Sequence, residues 1–186
     1  MALRVPKAEP TGLSESMIEQ FGVALEPVEA TQHNRKVAEA ALEFGAQASG
    51  WDAVDPSLKS IAHMAVAAQV GCSWCLDFGY FQAQNENLDL SKTSQVPRWR
   101  ESDLFTSQER DVLEYAEAMT NTPPTVTDEL SERLRGRLGS AGLVELTAYI
   151  AFSNLSTRSN VALGVESQGF SASCEIPLAA RSEIPA

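Results

Sequence analysis

Two cysteines three residues apart, in the run Gly71-Cys72-Ser73-Trp74-Cys75, are the residues of this sequence best suited to chemistry. On a helix, positions three apart share a face. The two thiols can therefore close a disulfide across one turn or stand side by side toward one substrate. Gly71 suits a bend that frees backbone N–H groups at a new helix start, and those groups, with the helix dipole, favour a thiolate. This argument assigns the lower pKa to Cys72, the residue nearer the start. The chain holds three Cys and two His. That is an odd number of Cys and too few for a secreted framework, so in a reducing compartment the close pair points to redox chemistry or metal binding. A structural zinc site would need His63, Cys72, Cys75 and Cys174 to converge, and no second ligand pair has suitable spacing. No metal and no cofactor is expected. The structural alternative is a pair of small buried residues, since free Cys is often core.

The elements that must hold this pair read as helices throughout. Leu13, Met17, Phe21 and Leu25, four apart, predict a first helix over 13–25 that Pro27 stops. Val37, Ala40, Ala41 and Phe44 fit the i, i+3, i+4, i+7 pattern of a second, over 30–48, which Gly50 ends. Asp55-Pro56 starts a third as N-cap and first helical residue, and Leu58, Ile61, Ala62, Ala65 and Val66 give it an apolar stripe up to Gly71. The stretch 88–100 is polar and carries one short turn. Thr106 and Glu109 form a capping box for a helix whose buried face is Val112, Tyr115, Ala116 and Met119. Thr127 caps a short helix with Leu130, Leu134 and Leu138. Gly139 and Gly142 separate it from a last helix over 143–163, where Leu143, Leu146, Thr147, Ile150, Asn154 and Arg158 fall on or near one face. The tail 169–186 lacks a period and is expected to wrap over the body or over a neighbouring subunit. With no sustained alternating pattern, the expectation is an all-α protein: a single-domain bundle of roughly seven helices over 1–186, with the N-terminal helix and the tail peripheral.

Composition narrows the function classes. Apolar residues make up 44% of the 186 positions and charged residues 21%, ordinary for a globular domain with a sizeable core. The balance of 14 Lys+Arg against 25 Asp+Glu gives a net charge of −11. A chain this acidic repels phosphate backbones and anionic lipid surfaces, so neither nucleic acid nor membrane is an expected partner. The longest apolar-leaning stretch, 61–71, is too short to span a bilayer, and Pro6, Glu9 and Pro10 interrupt any leader core. A cytoplasmic location is the expectation.

Three runs in order, LKSIAHMAVAAQVGCSWCLDFG, WRESDLFTSQERDVLEYAEAMTNTPPTVTDEL and VELTAYIAFSNLSTRSNVALGVE, resemble the carboxymuconolactone decarboxylase family, and its alkylhydroperoxidase D-like redox branch, over about 30–168. The resemblance implies an all-helical fold and a homo-oligomer, most simply a trimer. In the redox branch a Glu precedes Cys-x-x-Cys by twelve residues and a His follows the second Cys by four. The second Cys attacks peroxide, the first resolves it, and Glu and His relay protons. By that pattern the catalytic pair is Cys72 and Cys75, with Cys75 attacking; the helix-start argument favours Cys72, and the expectation here follows the family pattern. The Glu position is Ser60 and the His position Gly79, so the matched relay is missing. His63, one turn beyond Ser60, and Asp77 are candidate substitutes, although a satisfied buried histidine and a capping carboxylate are their simpler roles. Tyr80 reads as packing with a satisfied hydroxyl. Asn154, Arg158 and Asn160 match the family's Asn-x-x-Asn-Arg-x-Asn stretch, with Thr157 replacing the middle Asn. Arg158 is expected in an ion pair that ties helices or subunits, and Trp99 as a packing anchor. Cys174 reads as a lone thiol or an alternative resolving group.

The implied activity is a thiol-dependent peroxidase or oxidoreductase acting on organic hydroperoxides with a dithiol reductant, weak for want of the Glu and His. The alternative is a decarboxylase-like lyase or cyclase acting on a small organic acid or lactone.

Overall fold

In the computed structural model of the chain, residues 3–9 and 12–180 are described, apart from the Leu13 side chain. The helix that ends at the cysteine pair is the axis of the fold. This is α4 (Pro56–Val70), which buries Leu58, Ile61, Ala62, Met64, Ala65, Val66, Ala67 and Ala68. A helix apolar on nearly every side belongs inside a protein, and its many alanines let neighbours approach closely. Around it pack α5 (Ser73–Asn85), α7 (Ser107–Thr120) and α8 (Asp128–Leu163). Their shared core joins Ile61, Met64, Val66, Tyr80, Leu113, Leu134, Leu146 and Ile150.

The local signals hold at most boundaries. Asp55 caps α4 through Ser57 N–H (2.8 Å), and both halves of the Thr106–Glu109 capping box are made. Thr127 caps α8, and Gly139, at φ 71°, kinks that helix in two. Between α5 and α7 lie one short turn, α6 (Leu90–Thr93), and a 3-10 turn over Val96–Glu101. Trp99 is buried there, donating to Glu117 Oε1 (2.9 Å) with the Arg100 guanidinium over its ring. Among the described residues there is no strand.

Two expectations at the N-terminal end fail. The first helix, α1 (Gly12–Phe21), ends at Gly22 (φ 75°) rather than running to Leu25. Pro27 opens α2 (Glu26–Thr31) instead of stopping a helix, because the missing N–H costs nothing in a first turn. The second predicted helix starts five residues late, as α3 (Arg35–Ser49), because Asn34 caps it by accepting from Val37 N–H. Its apolar stripe does not enter the core: Val37 is 55% and Phe44 42% exposed.

The tail wraps over the body, across α5. Its turn over Phe170–Ser173 packs on that helix, Tyr80 Oη donates to Ile176 O (2.7 Å), and Ala179 N–H donates to Ser94 O (2.9 Å). Residues 181–186 lie outside the described residues.

Candidate active site

Gly71 ends α4 in the left-handed region (φ 79°), which a glycine enters freely, and the chain turns at once into α5. That turn makes Cys72 the N-cap of α5, its sulfur accepting from Cys75 N–H (3.3 Å). Cys75, one turn on, brings its Sγ to 2.6 Å from Cys72 Sγ, and both are free thiols, 1% and 2% exposed. Leu25, Ala30, Ala67, Trp74, Phe78 and Val165 surround them, in a cluster separate from the main core. The pair behaves as a unit. The hydrogen bond from Cys75 holds the Cys72 thiol below its ordinary pKa against the opposing effect of burial, with help from backbone N–H groups. Cys75 is pushed far up by that same bond, by burial and by the Cys72 charge. The first proton to leave is therefore that of Cys72, as the helix-start argument expects.

A residue overlooked as a contact is Asn160, in the last turn of α8, which is buried and donates from Nδ2 to Cys75 Sγ (3.2 Å). Its sequence signal was its place in the Asn-x-x-Asn-Arg-x-Asn stretch, which does not say what the amide touches. The other motif residues hold helices: Asn154 Nδ2 donates to Thr120 Oγ1 (3.0 Å), and Arg158 donates to Thr120 O (2.5 Å). Arg158 thus ties α8 to α7 through a carbonyl at a helix C-terminus, where a cation is favoured, rather than through the expected ion pair.

The two vacant relay positions border one small pocket. Its volume is 130 Å³ and its lining includes Lys59, Ser60, His63, Gly79, Gln82 and Tyr149. A Cβ on Gly79 would meet His63 Cδ2 at 3.2 Å and Met64 Cγ at 3.5 Å. His63 from α4 therefore occupies the space beside Gly79 that a larger residue on α5 would need. Its Nδ1 lies 3.2 Å from Ser153 Oγ. Burial drives its pKa down to about 4, partly offset by a hydrogen bond to the Cys75 backbone. His63 is thus neutral near pH 7 and a weak base toward a thiol. Below the pocket Lys59 and Glu145 form a buried ion pair (3.3 Å), Lys59 also donating to Trp51 O (2.6 Å) and Glu145 accepting from Ala53 and Val54 N–H (2.8 and 3.1 Å). No periodicity flagged this pair.

Asp77 is committed elsewhere. Its carboxylate accepts from Ser167 Oγ (2.7 Å) and from the N–H groups of Gly169, Phe170 and Ser171 (2.8, 3.0 and 2.7 Å), so it anchors the tail. Burial alone would raise its pKa; these bonds, Ser171 first, outweigh burial and hold it below the usual range. Tyr80 is a fully buried packing residue with its hydroxyl satisfied. Cys174 packs against the main core rather than in the cluster around the pair. Among the described residues no three His, Cys, Asp or Glu converge as a metal site requires.

The carboxymuconolactone decarboxylase family model matches residues 35–118. The uncharacterized protein YnjA of Escherichia coli K12 is 39% identical over 124 residues, covering 67% of this chain and 66%, just under two thirds, of that protein. Over residues 35–118 the chain is similar to the carboxymuconolactone decarboxylase family. Solved structures show the same fold. An uncharacterized peroxidase-related protein of Ralstonia eutropha JMP134, with an alkylhydroperoxidase AhpD core, superposes at TM-score 0.81 with 17% identity over 94% of this chain and 97% of that one. The debrominase Bmp8 superposes at 0.75 with 19% identity over 85% of each chain. Ser60 and Gly79, the positions at which the resemblance implied a relay, line one pocket with His63.

Proposed function

We propose that this protein is a thiol-dependent oxidoreductase in which Cys72 and Cys75 cycle between dithiol and disulfide while reducing an organic hydroperoxide. The observation that carries this reading is the 2.6 Å approach of the two free sulfurs, with Cys72 at a helix N-cap. Cys72 is the first of the pair to release its proton to solvent, and as the thiolate it attacks the terminal peroxide oxygen; the O–O bond breaks, leaving a sulfenic acid on Cys72 and an alkoxide. Cys75, whose raised pKa keeps it protonated, gives its proton to the alkoxide, so the product is an alcohol. The Cys75 thiolate then attacks the Cys72 sulfur and expels hydroxide, which takes a proton from water. A dithiol reductant returns two electrons and two protons to the disulfide.

In this scheme Cys75 supplies the proton that the missing relay would have handled. Turnover is weak all the same, because no general base assists and both sulfurs are buried. Peroxide consumption with a dithiol reductant tests the reading: wild type consumes peroxide and both Cys72→Ser and Cys75→Ser do not. A chain inert to peroxide, or active without its cysteines, would turn the reading to the lyase or cyclase class acting on a small organic acid or lactone.

The functional unit is a homo-oligomer, most simply a trimer. In support, α3 and α8 leave an uncovered apolar groove lined by Val37, Ala40, Phe44, Ala148, Phe152 and Leu155. Isolated apolar side chains on a surface need no explanation, but a contiguous groove of them does. The same reading keeps the protein in the cytoplasm; no helix among the described residues is long and apolar enough to cross a membrane.

A further inference from the structure

We infer that Asn160 is a positioning residue that stabilises the reduced pair through Cys75, and thereby tunes how oxidising the disulfide is. The inference rests on the dithiol reading of the site. Asn160 and Cys75 are both buried, and the side chains around the sulfurs are otherwise apolar. An amide N–H only donates. With Asn160 Nδ2 at 3.2 Å, the Cys75 sulfur accepts that bond, and it lies 2.6 Å from Cys72 Sγ. The Cys72 sulfur also accepts from the Cys75 backbone N–H. Each sulfur thus takes a donor from the protein, Cys75 from the Asn160 amide and Cys72 from the Cys75 backbone, and such bonds favour negative charge on the pair. The hydrogen bond from Asn160 lowers the pKa of both thiols, in agreement with that donation.

The redox consequence follows from sulfur chemistry. With glutathione disulfide as oxidant, the Cys72 thiolate attacks one of its sulfurs and a glutathione thiolate leaves. Cys75 loses its proton to solvent, attacks the Cys72 sulfur of the mixed disulfide and expels the second glutathione. Two electrons have moved from the protein to the oxidant. A disulfide sulfur is a weak acceptor, so the bond from Asn160 favours the reduced pair. Stabilising the reduced pair makes its disulfide more oxidising.

Two variants test this. Asn160→Leu removes the donor at similar volume, and Asn160→Asp keeps the shape but substitutes acceptors. Ultraviolet thiolate absorbance against pH, and equilibration with glutathione redox buffers, are measured on folded protein. In Asn160→Leu the thiolate midpoint is expected to rise, and the equilibrium to move about tenfold toward disulfide, or about 30 mV more negative. Asn160→Asp should raise the midpoint further, and it carries the test if the leucine variant does not fold. Wild-type midpoint and equilibrium in the folded variants overturn the inference. A wild-type protein that forms no disulfide with glutathione disulfide overturns the redox reading instead, and the thiolate titration still decides the role of Asn160.

Discussion

At the scale of single residues, the pair works by asymmetry. Two equivalent buried thiols would both stay protonated near neutral pH, because burial disfavours either charge. Cys72 is moved toward the thiolate by sitting at an N-cap, where its sulfur accepts from the Cys75 N–H. A sulfenic-acid trap is therefore expected to label Cys75→Ser after one equivalent of peroxide and to leave Cys72→Ser unlabelled; the opposite labelling would make Cys75 the attacking thiol. His63 makes a separate prediction. Its folded pKa, about 4, lies below the ordinary value near 6.5. The unfolded chain binds the extra proton first, so this residue withdraws stability as pH falls from about 6.5 toward about 4 and leaves it unchanged above that window. Unfolding midpoints of wild type and His63→Gln should converge over that range in acid and run parallel at neutral pH. Gly79→His, the direct restoration of the family's relay, should cost about 1–3 kcal/mol by overpacking against His63 and Met64. A denaturant titration checks this, and adding His63→Gly should recover part of the loss.

At the scale of elements, the tail is a strap over α5 whose main fastening is Asp77. Three backbone N–H groups and one hydroxyl converge on that carboxylate, and Gln168 adds a second fastening by accepting from Trp74 Nε1 (2.8 Å) and donating to Ala24 O (2.9 Å). Phe170 meets Phe78 and Phe81 at ring-centroid distances of 5.2 and 5.5 Å, and Trp74 stacks on Phe78 at 4.7 Å. The strap thus closes the apolar cage in which the thiols lie. Asp77→Asn should cost about 1–3 kcal/mol, from weaker bonds to buried N–H groups. It should also make the segment 165–176 easier to cleave by protease and the two thiols faster to alkylate, without raising the thiolate midpoint. Because the folded pKa of Asp77 is depressed, its contribution is present above about pH 4 and is lost as pH falls through the folded value. Unchanged protease and alkylation rates in Asp77→Asn would remove the strap from this account.

At the scale of the whole molecule, the apolar groove between α3 and α8 is the feature a lone chain leaves unexplained. Leu155 is 58% and Phe44 42% exposed, while Phe44 lies 4.8 Å from Phe152 between ring centroids. The wild-type protein is expected to run as a homo-oligomer in light scattering at micromolar concentration. Phe44→Glu, which puts a charge in the groove, should shift it toward the monomer mass with the helical content intact. A wild-type monomer would assign the groove to some other partner.

What the sequence determined by itself was local. The caps at Asp55, Thr106 and Thr127 and the break at Gly71 follow from backbone groups that must be satisfied within a few residues, and the all-helical class follows from the period of the apolar positions. Cys72 at a helix start, with its lower pKa, was legible for the same reason: the dipole and the free N–H groups are properties of one turn. Tertiary structure decided what depends on residues distant in the chain. Periodicity marks an apolar face without saying what covers it, and the stripe on α3 lies at the surface. The vacancy at Gly79 acquired meaning only when α4 brought His63 against it. Asp77, a candidate base by sequence, became an anchor because the tail returns its N–H groups from ninety residues and more away. The contact of Asn160 with Cys75, 85 positions apart, exists because the end of α8 passes the start of α5. A sequence prescribes the donors and acceptors each residue carries; long-range packing decides which of them meet in a place without water, and there each bond weighs most on the chemistry.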